Sequence, residues 1–269
     1  MTNKKLAVVG GGQMGRALVG GMLASNVIMA GDIRLVEPSE ESRQWWTDNE
    51  SDVVITDLAE AVAAADLVLL AVKPNIVPVV AEQEPGFWAG KLVISIAAGV
   101  QLSQLGSWIG HHRVVRVMPN TPSLVGAGAS AFCCGADVTA ADRDWIESML
   151  GSVGLAVEVD ERQMDAVTGL SGSGPAYICL MIEALADGGV QEGLPRPMAM
   201  QLATQTVLGT AKMIAETKRH PGELKDAVAS PGGTTIAAIA VLEQNGVRGA
   251  LAQAVAAAAK RSRELSSND

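Results

Sequence analysis

Gly10-Gly11-Gly12-Gln13-Met14-Gly15 follows a short apolar run ending at Val9, and it sets glycines at the three fixed places of a G-x-G-x-x-G turn. In such a turn the first glycine permits the sharp bend. The second lets backbone approach a pyrophosphate, and the third lets the next helix pack closely with its N-terminus toward the anion. The expected ligand is a nicotinamide dinucleotide, NADPH or NADH, gripped by Val9 to Gly15. Glu37, followed by Pro38 and Ser39, closes the second apolar run, where an acid can accept from the adenosine ribose 2′-hydroxyl and would favour NADH. The alternative is a solvated helix start, since acidic residues are common in a first turn. Arg34 and Arg43 are close enough in sequence to serve a 2′-phosphate instead.

Three more loops belong with this turn. Ala71-Val72-Lys73-Pro74, Ile96-Ala97-Ala98-Gly99 and Met118-Pro119-Asn120-Thr121-Pro122 each leave an apolar run. Ligands of open parallel sheets bind outside the carboxyl ends of the strands, so these loops should flank the cofactor. Asn120 reads either as a polar handle near the nicotinamide or as part of a Pro-rich structural turn. Two Gly/Ser segments further on, Ser171-Gly172-Ser173-Gly174-Pro175 and Ser230-Pro-Gly-Gly233-Thr234-Thr235, stand where helices begin. They read as caps, or as amide and hydroxyl sites for a small carboxylate opposite the nicotinamide. His111, His112 and His220 stand in loops, and no lysine occurs between Lys91 and Lys212. The chemistry therefore has to need little acid-base assistance, and no metal site is expected.

The elements that must position these residues fall into two halves. Leu6–Val9, Ile33–Val36, Val53–Ile55, Leu67–Val72, Leu92–Ile96 and Val114–Val117 suit parallel strands covered on both faces, alternating with helical segments. After Asp160 the strand signal stops, and long weakly charged helical segments follow. The expected class is α/β: a Rossmann-type doubly wound dinucleotide-binding domain over 1–160, then an all-α dimerisation and substrate domain over 161–269. Helices apolar around their whole circumference need a second copy to cover them, which predicts a homodimer; the alternative is that the Ala-rich helices pack closely within one subunit. Gly188-Gly189, Gly193-Leu-Pro195, His220-Pro-Gly222, Pro231-Gly-Gly233 and Asn245-Gly246 are each expected to stop or restart a helix. Cys179 is expected to be a small buried hydrophobe.

Bulk composition narrows the function classes. With a net charge of −9 the chain would repel a phosphate backbone or an anionic membrane surface. Met1 to Lys5 runs into Leu6–Val9 without a signal-like apolar stretch, and no uncharged segment reads as a membrane span. Three cysteines give no even framework, so a reducing cytoplasm is expected.

Taken together, Asp165-Ala-Val-Thr-Gly-Leu-Ser-Gly-Ser-Gly-Pro-Ala-Tyr177 and Leu224-Lys-Asp-Ala-Val-Ala-Ser-Pro-Gly-Gly-Thr-Thr235 resemble the helical-domain signatures of the pyrroline-5-carboxylate reductase family. Val72-Lys-Pro74, Ser95-Ile-Ala-Ala-Gly99 and Met118-Pro-Asn-Thr-Pro122 match the same family in order, so the resemblance spans essentially the whole chain. It implies hydride transfer to the C=N carbon of 1-pyrroline-5-carboxylate, giving L-proline in the last step of proline synthesis. An imine is electrophilic once protonated, which agrees with the missing His and Lys. The resemblance further implies that amides of Gly233, Thr234 and Thr235 hold the substrate carboxylate, to which the Gly/Ser segment would add Ser171 and Gly172. The Thr235 hydroxyl would bond the ring nitrogen and relay a proton. Family members are commonly dimers intertwined through the helical domain, some assembling into decamers. Some relatives carry a cofactor-contacting Asn where this chain has Leu58 and Ala227, so those contacts do not transfer.

Overall fold

The computed structural model describes residues 4–83 and 86–267; Met1 to Asn3, part of the N-terminal start read above, lie outside the described residues. The chain divides into two compact units. One holds everything up to Ser173 together with Ala257 onward, and the other is Gly174–Ala256.

In the first unit the order is β1 (Leu6–Val9), α1 (Gln13–Ala24), β2 (Ile33–Val36), α2 (Glu40–Asn49), β3 (Val54–Ile55), α3 (Leu58–Ala64), β4 (Leu67–Leu70), α4 (Val77–Ala81), β5 (Leu92–Ser95) and α5 (Leu102–Ile109). There follow β6 (Val114–Met118), β7 (Gly128–Cys134), α6 (Ala140–Gly151), β8 (Gly154–Glu158) and α7 (Met164–Val167). The sheet runs β3-β2-β1-β4-β5-β6-β7-β8, so the order reverses at β1. A crevice opens at such a switch point beyond the strand ends. Every residue of β1, β4 and β5 is buried, the result of helices on both faces. Leu18, Met22, Trp46 and Trp145 pack one face, while Val62, Val77, Trp88 and Leu105 pack the other.

Two strands lie beyond the six that the apolar runs mark. β7 pairs antiparallel with β6, and β8 continues parallel to β7. The sheet is therefore mixed. β7 opens on Gly-Ala-Ser-Ala, too small to make an apolar run, and β8 is an edge strand whose Leu155 and Val157 are exposed. A period of two with small residues leaves little signal.

The second unit contains α8 (Gly174–Gln191), α9 (Arg196–Thr217), α10 (Pro221–Ala227), α11 (Thr234–Gln244) and the first half of α12 (Val247–Ser267). Gly188-Gly189 does not stop a helix as expected, because it lies inside α8. Its role is steric: a Cβ on Gly189 would come within 3.2 Å of the Ala199 Cβ on α9. The unit's buried cluster is Ala186, Ala199 and Ala203, whereas Leu180, Leu185, Leu202, Leu208 and Leu242 are exposed. Cys179 is exposed on the same helix rather than buried, because the unit has so little interior of its own. Among the described residues no helix is long and apolar enough to cross a membrane.

The end of α12 rejoins the first unit. Ser262, buried, donates its hydroxyl to Asp165 Oδ1 at 2.6 Å, and Asp165 lies 4.0 Å from the buried Arg116 guanidinium of β6. The same guanidinium reaches Glu161 at 3.3 Å.

A second buried ionic group ties α6 to the sheet. Asp142 is buried and accepts from Arg113 Nε at 2.9 Å and Nη2 at 2.7 Å, and from the Thr139 amide at 3.1 Å. Burial by itself would raise this carboxyl, but the Arg113 and Thr139 hydrogen bonds and the Arg113 charge outweigh it and hold it well below the usual carboxylate range. A carboxylate lowered in the folded state contributes stability that is complete above its unfolded value, about 3.9, and is lost as pH falls below it. Asp142→Asn should therefore cost about 2–3 kcal/mol at neutral pH by urea denaturation. It should also lose less than the native chain on acidification from about pH 5 to pH 3. Equal acid losses in the two chains would show that this carboxylate contributes nothing to the acid limb.

Candidate functional site

The glycine turn is built by close backbone approach. Gly10 sits at φ +102° and donates its N–H to the Val36 carbonyl of β2 at 2.9 Å. A Cβ there would stand 2.6 Å from the Ala71 carbonyl oxygen at the end of β4, and a Cβ on Gly15 would stand 2.5 Å from the Gly10 carbonyl oxygen. Both positions therefore demand glycine on the protein's own account. Gly12 differs: it caps α1 with extended backbone, and a Cβ on it would meet no described atom within 4 Å. The first-turn amides of Gln13 and Met14 have no partner inside the helix, as at any helix start.

A cleft of about 280 Å³ lies beside this turn, lined by Met14, Ala71, Val72, Lys73, Pro74, Ile96, Ala97, Ala98, Met118 and Pro119. The residues expected from the loops after β4 and β5 thus converge with the start of α1 at the carboxyl ends of the strands. The lining is mainly apolar, with backbone and Lys73 as its polar part. It has the character of a surface that takes a flat ring and leaves charge recognition to the turn. The bare glycines and the helix start fit a dinucleotide pyrophosphate.

Glu37 stands next to the turn at the end of β2. Its Oε2 accepts from the Gly11 amide at 2.7 Å and its Oε1 from the Ser39 amide at 2.8 Å, while the Ser39 hydroxyl caps α2. Pro38 is exposed between them. The basic side chains of this region are bonded to protein acceptors: Arg34 to the Gly31 and Ile33 carbonyls, Arg43 to the Glu37 carbonyl, and Arg16 to the Gly11 carbonyl and Ser42.

Asn120 is 8% exposed and both ends of its amide are engaged. Nδ2 donates to the Ser171 carbonyl at 3.0 Å, and Oδ1 accepts from the Ala129 amide at 2.8 Å. The side chain therefore ties the end of β6 to β7 and to the Ser171 segment. That segment is a π-helical turn, Thr168–Gly172, which leads into α8 rather than forming an open loop. A Cβ on Gly172 would stand 2.5 Å from the Met118 Cε, so Ser171 and Gly172 lie against the β6 end that lines the cleft.

Gly233, Thr234 and Thr235 belong to the second unit. Gly233 is the N-cap of α11 and donates to the Ser230 carbonyl at 3.0 Å; Thr234 is exposed and Thr235 half-buried at the first two helical positions. The turn before them depends on Gly232 at φ +67°. His111 bonds the Trp88 carbonyl and the Arg113 amide, and His220 caps α10, so both imidazoles are engaged in loop and cap structure. Burial, reinforced by Glu161 for Cys133 and by Glu158 for Cys134, pushes both thiols up to about 12, which leaves them inert as nucleophiles.

Sequence reading passed over Trp46, Arg16 and Ser42, which all donate to the Gly11 carbonyl. The available signal was the adjacent Trp45-Trp46 pair within the otherwise polar stretch Glu-Glu-Ser-Arg-Gln-Trp-Trp-Thr-Asp-Asn.

Residues 161–265 match the family model described as pyrroline-5-carboxylate reductase dimerisation, and residues 5–99 match one described as NADP oxidoreductase, coenzyme F420-dependent. A pyrroline-5-carboxylate reductase of Glycine max is 46% identical over 97% of this chain and 96% of its own length. A pyrroline-5-carboxylate reductase structure from Coxiella burnetii superposes with a TM-score of 0.92 at 38% identity, covering 98% of this chain and 99% of that one. The pyrroline carboxylate reductase of Plasmodium falciparum, solved with NADP bound, gives 0.88 at 33% identity over 99% of this chain and 100% of that one.

The contrast among the glycines is directly testable. Gly12→Ala is expected to weaken NADH or NADPH binding tenfold or more while moving Tm by no more than about 2 °C. Gly15→Ala, which collides with the Gly10 carbonyl, should lower Tm sharply. Calorimetric titration together with thermal melts reads both, and unaltered cofactor affinity in Gly12→Ala would remove this turn from the cofactor.

Proposed function

The chain belongs to the pyrroline-5-carboxylate reductase family, and from that premise we propose that its first unit holds the reductant and its second unit the imine. The reaction is NAD(P)H-dependent reduction of the C=N bond of 1-pyrroline-5-carboxylate to L-proline, the closing step of proline biosynthesis. The observation that carries this division is the convergence, within the first unit, of the glycine turn and the ends of β4, β5 and β6 on one cleft.

When bound, the reduced nicotinamide supplies the hydride. Val9 to Gly15 would hold the dinucleotide, the Gly12 amide and the α1 start serving its pyrophosphate, and Ala71 to Pro74, Ile96 to Ala98 and the Asn120 segment would flank it. Asn120 contributes by fixing the β6 end, through one hydrogen bond at each end of its amide. Glu37, flanked by Pro38 and Ser39, keeps two of its roughly four acceptor positions for a ribose hydroxyl. A Glu37 carboxylate at this place favours NADH, while Arg34 and Arg43, each bonded to protein through one nitrogen, keep further donors that a 2′-phosphate would use. The α11 start is assigned the substrate carboxylate on the amides of Thr234 and Thr235, as helix starts take anions, while the Gly233 amide closes the turn on the Ser230 carbonyl; the Thr235 hydroxyl is assigned to the ring nitrogen. Ser171 and Gly172 are assigned to the substrate side through their place against Met118. The protonated imine already carries the proton that proline nitrogen keeps, so carbon accepts the hydride without a further acid, and the protein's contribution is placement and electrostatics.

The functional boundary is proposed at 160/161, where the dimerisation model begins at Glu161. The unpartnered leucines of α8, α9 and α11 support a homodimer through the helical part. A decamer built from such dimers is the larger assembly to compare in light scattering, against twice and ten times 27.7 kDa. A reducing, cytoplasmic setting is proposed on the three unpaired cysteines.

Steady-state oxidation of NADH and NADPH with 1-pyrroline-5-carboxylate tests the reaction, and absence of turnover with both overturns it. Thr235→Ala should lower kcat/KM for the imine by roughly tenfold or more, about the worth of one or two hydrogen bonds, with cofactor binding nearly intact; unchanged kinetics would take Thr235 out of the site. In a parallel comparison Glu37→Ser should raise the NADPH-to-NADH ratio of kcat/KM, and a constant ratio would show that the side chain does not read the ribose.

A further inference from the structure

One peptide group in the glycine turn is held from several sides. The Gly11 carbonyl accepts from Trp46 Nε1 at 2.9 Å, Arg16 Nε at 3.0 Å and Ser42 Oγ at 3.0 Å, three donors on an oxygen with two lone pairs. Arg16 is in turn seated over the Trp45 ring, 4.2 Å from its centroid, and Trp45 meets Trp46 edge to face. Of the three donors Trp46 is the one in the core: it is 1% exposed and packs with Leu18, Val19, Met22 and Leu35 in the same apolar cluster. A rigid, packed indole cannot follow the carbonyl if it rotates, so the bond fixes a direction.

That direction has a consequence for the other side of the same group. The Gly11 carbonyl and the Gly12 N–H share one planar trans peptide and point opposite ways. Anchoring the oxygen inward on α2 therefore aims the Gly12 N–H outward. Gly11 is buried whereas Gly12 is exposed, and a Cβ on Gly12 would meet nothing described within 4 Å.

We propose that Trp46 is a positioning residue for the dinucleotide: by holding the Gly11 carbonyl it presents the Gly12 amide to the pyrophosphate. The inference rests on the reading of Gly10–Gly15 as the pyrophosphate turn. Trp46 touches neither cofactor nor imine and acts through Gly11 alone. Its contribution appears in cofactor affinity and leaves the hydride step and imine recognition in place.

The test is Trp46→Phe in the full-length protein, which keeps an aromatic ring and removes the donor. Calorimetric Kd for NADH and NADPH should rise about three- to tenfold, the worth of one buried hydrogen bond. Cofactor KM should follow, with kcat at saturating cofactor falling less than twofold and imine KM unchanged. Trp145→Phe, a substitution in the same apolar cluster, controls for loosened packing and should lower Tm without moving cofactor Kd. Equal cofactor affinity in Trp46→Phe and the native chain, or an equal loss in Trp145→Phe at a matched drop in Tm, overturns the proposal and leaves the turn's assignment standing. Failure of the native chain to bind either NADH or NADPH overturns the turn's assignment and the proposal with it. If Trp46→Phe does not fold, the benzothienyl analogue of tryptophan placed at position 46 keeps the shape of the indole and lacks its N–H; the same rise in Kd is expected, and no rise overturns the proposal.

Discussion

The first unit depends on one steric constraint: the backbone at Gly10 passes so close to the end of β4 that no side chain fits between them. That contact sets how tightly β1 turns into α1. The closeness of Gly15 to the Gly10 carbonyl then sets how far α1 stands from the sheet. Because β1 is the strand at which the sheet order reverses, the helix start emerges over the crevice rather than over a covered face. The cleft formed by the ends of β4, β5 and β6 follows from that geometry.

Around this constraint the two units are stabilised differently. The first buries long aliphatic and aromatic side chains on both faces of its sheet and places its charges in a few compensated groups such as Arg113 with Asp142. The second buries alanines where α8 and α9 approach, and turns its leucines outward. Small residues permit close helix contact but bury little area per residue, so such a unit gains its hydrophobic stabilisation from association.

What was legible in the sequence was local. The glycine spacing at 10, 12 and 15 is read from steric needs that hold in any such turn, and the fully buried strands announce themselves as unbroken apolar runs. The convergence of the loops after β4 and β5 follows from a topological rule rather than from the residues themselves. β7 escaped because its Gly-Ala-Ser-Ala start carries little apolar signal. Gly188-Gly189 was misread because a glycine pair that admits a neighbouring helix looks the same in one dimension as a pair that ends one. The Pro-rich sequence around Asn120 suits two roles equally, and only the distances to Ser171 and Ala129 show where its amide is engaged. The hold of Trp46 on Gly11 joins positions far apart in sequence, with no periodicity to reveal it.

The return of the last helix carries a consequence for the order in which the molecule is put together. Since residues from Ala257 onward pack with the first unit, with Ser262 bonded to Asp165 beside Arg116, the helical unit is topologically an insertion in its sheet-bearing host. During synthesis the host stays unfinished until the second half of α12 leaves the ribosome, and its closing piece arrives through a tethered guest. Closing so long a loop costs entropy only logarithmically in its length, so the arrangement is thermodynamically mild. It nevertheless makes the second half of α12 the step on which completion of the nucleotide-binding half waits.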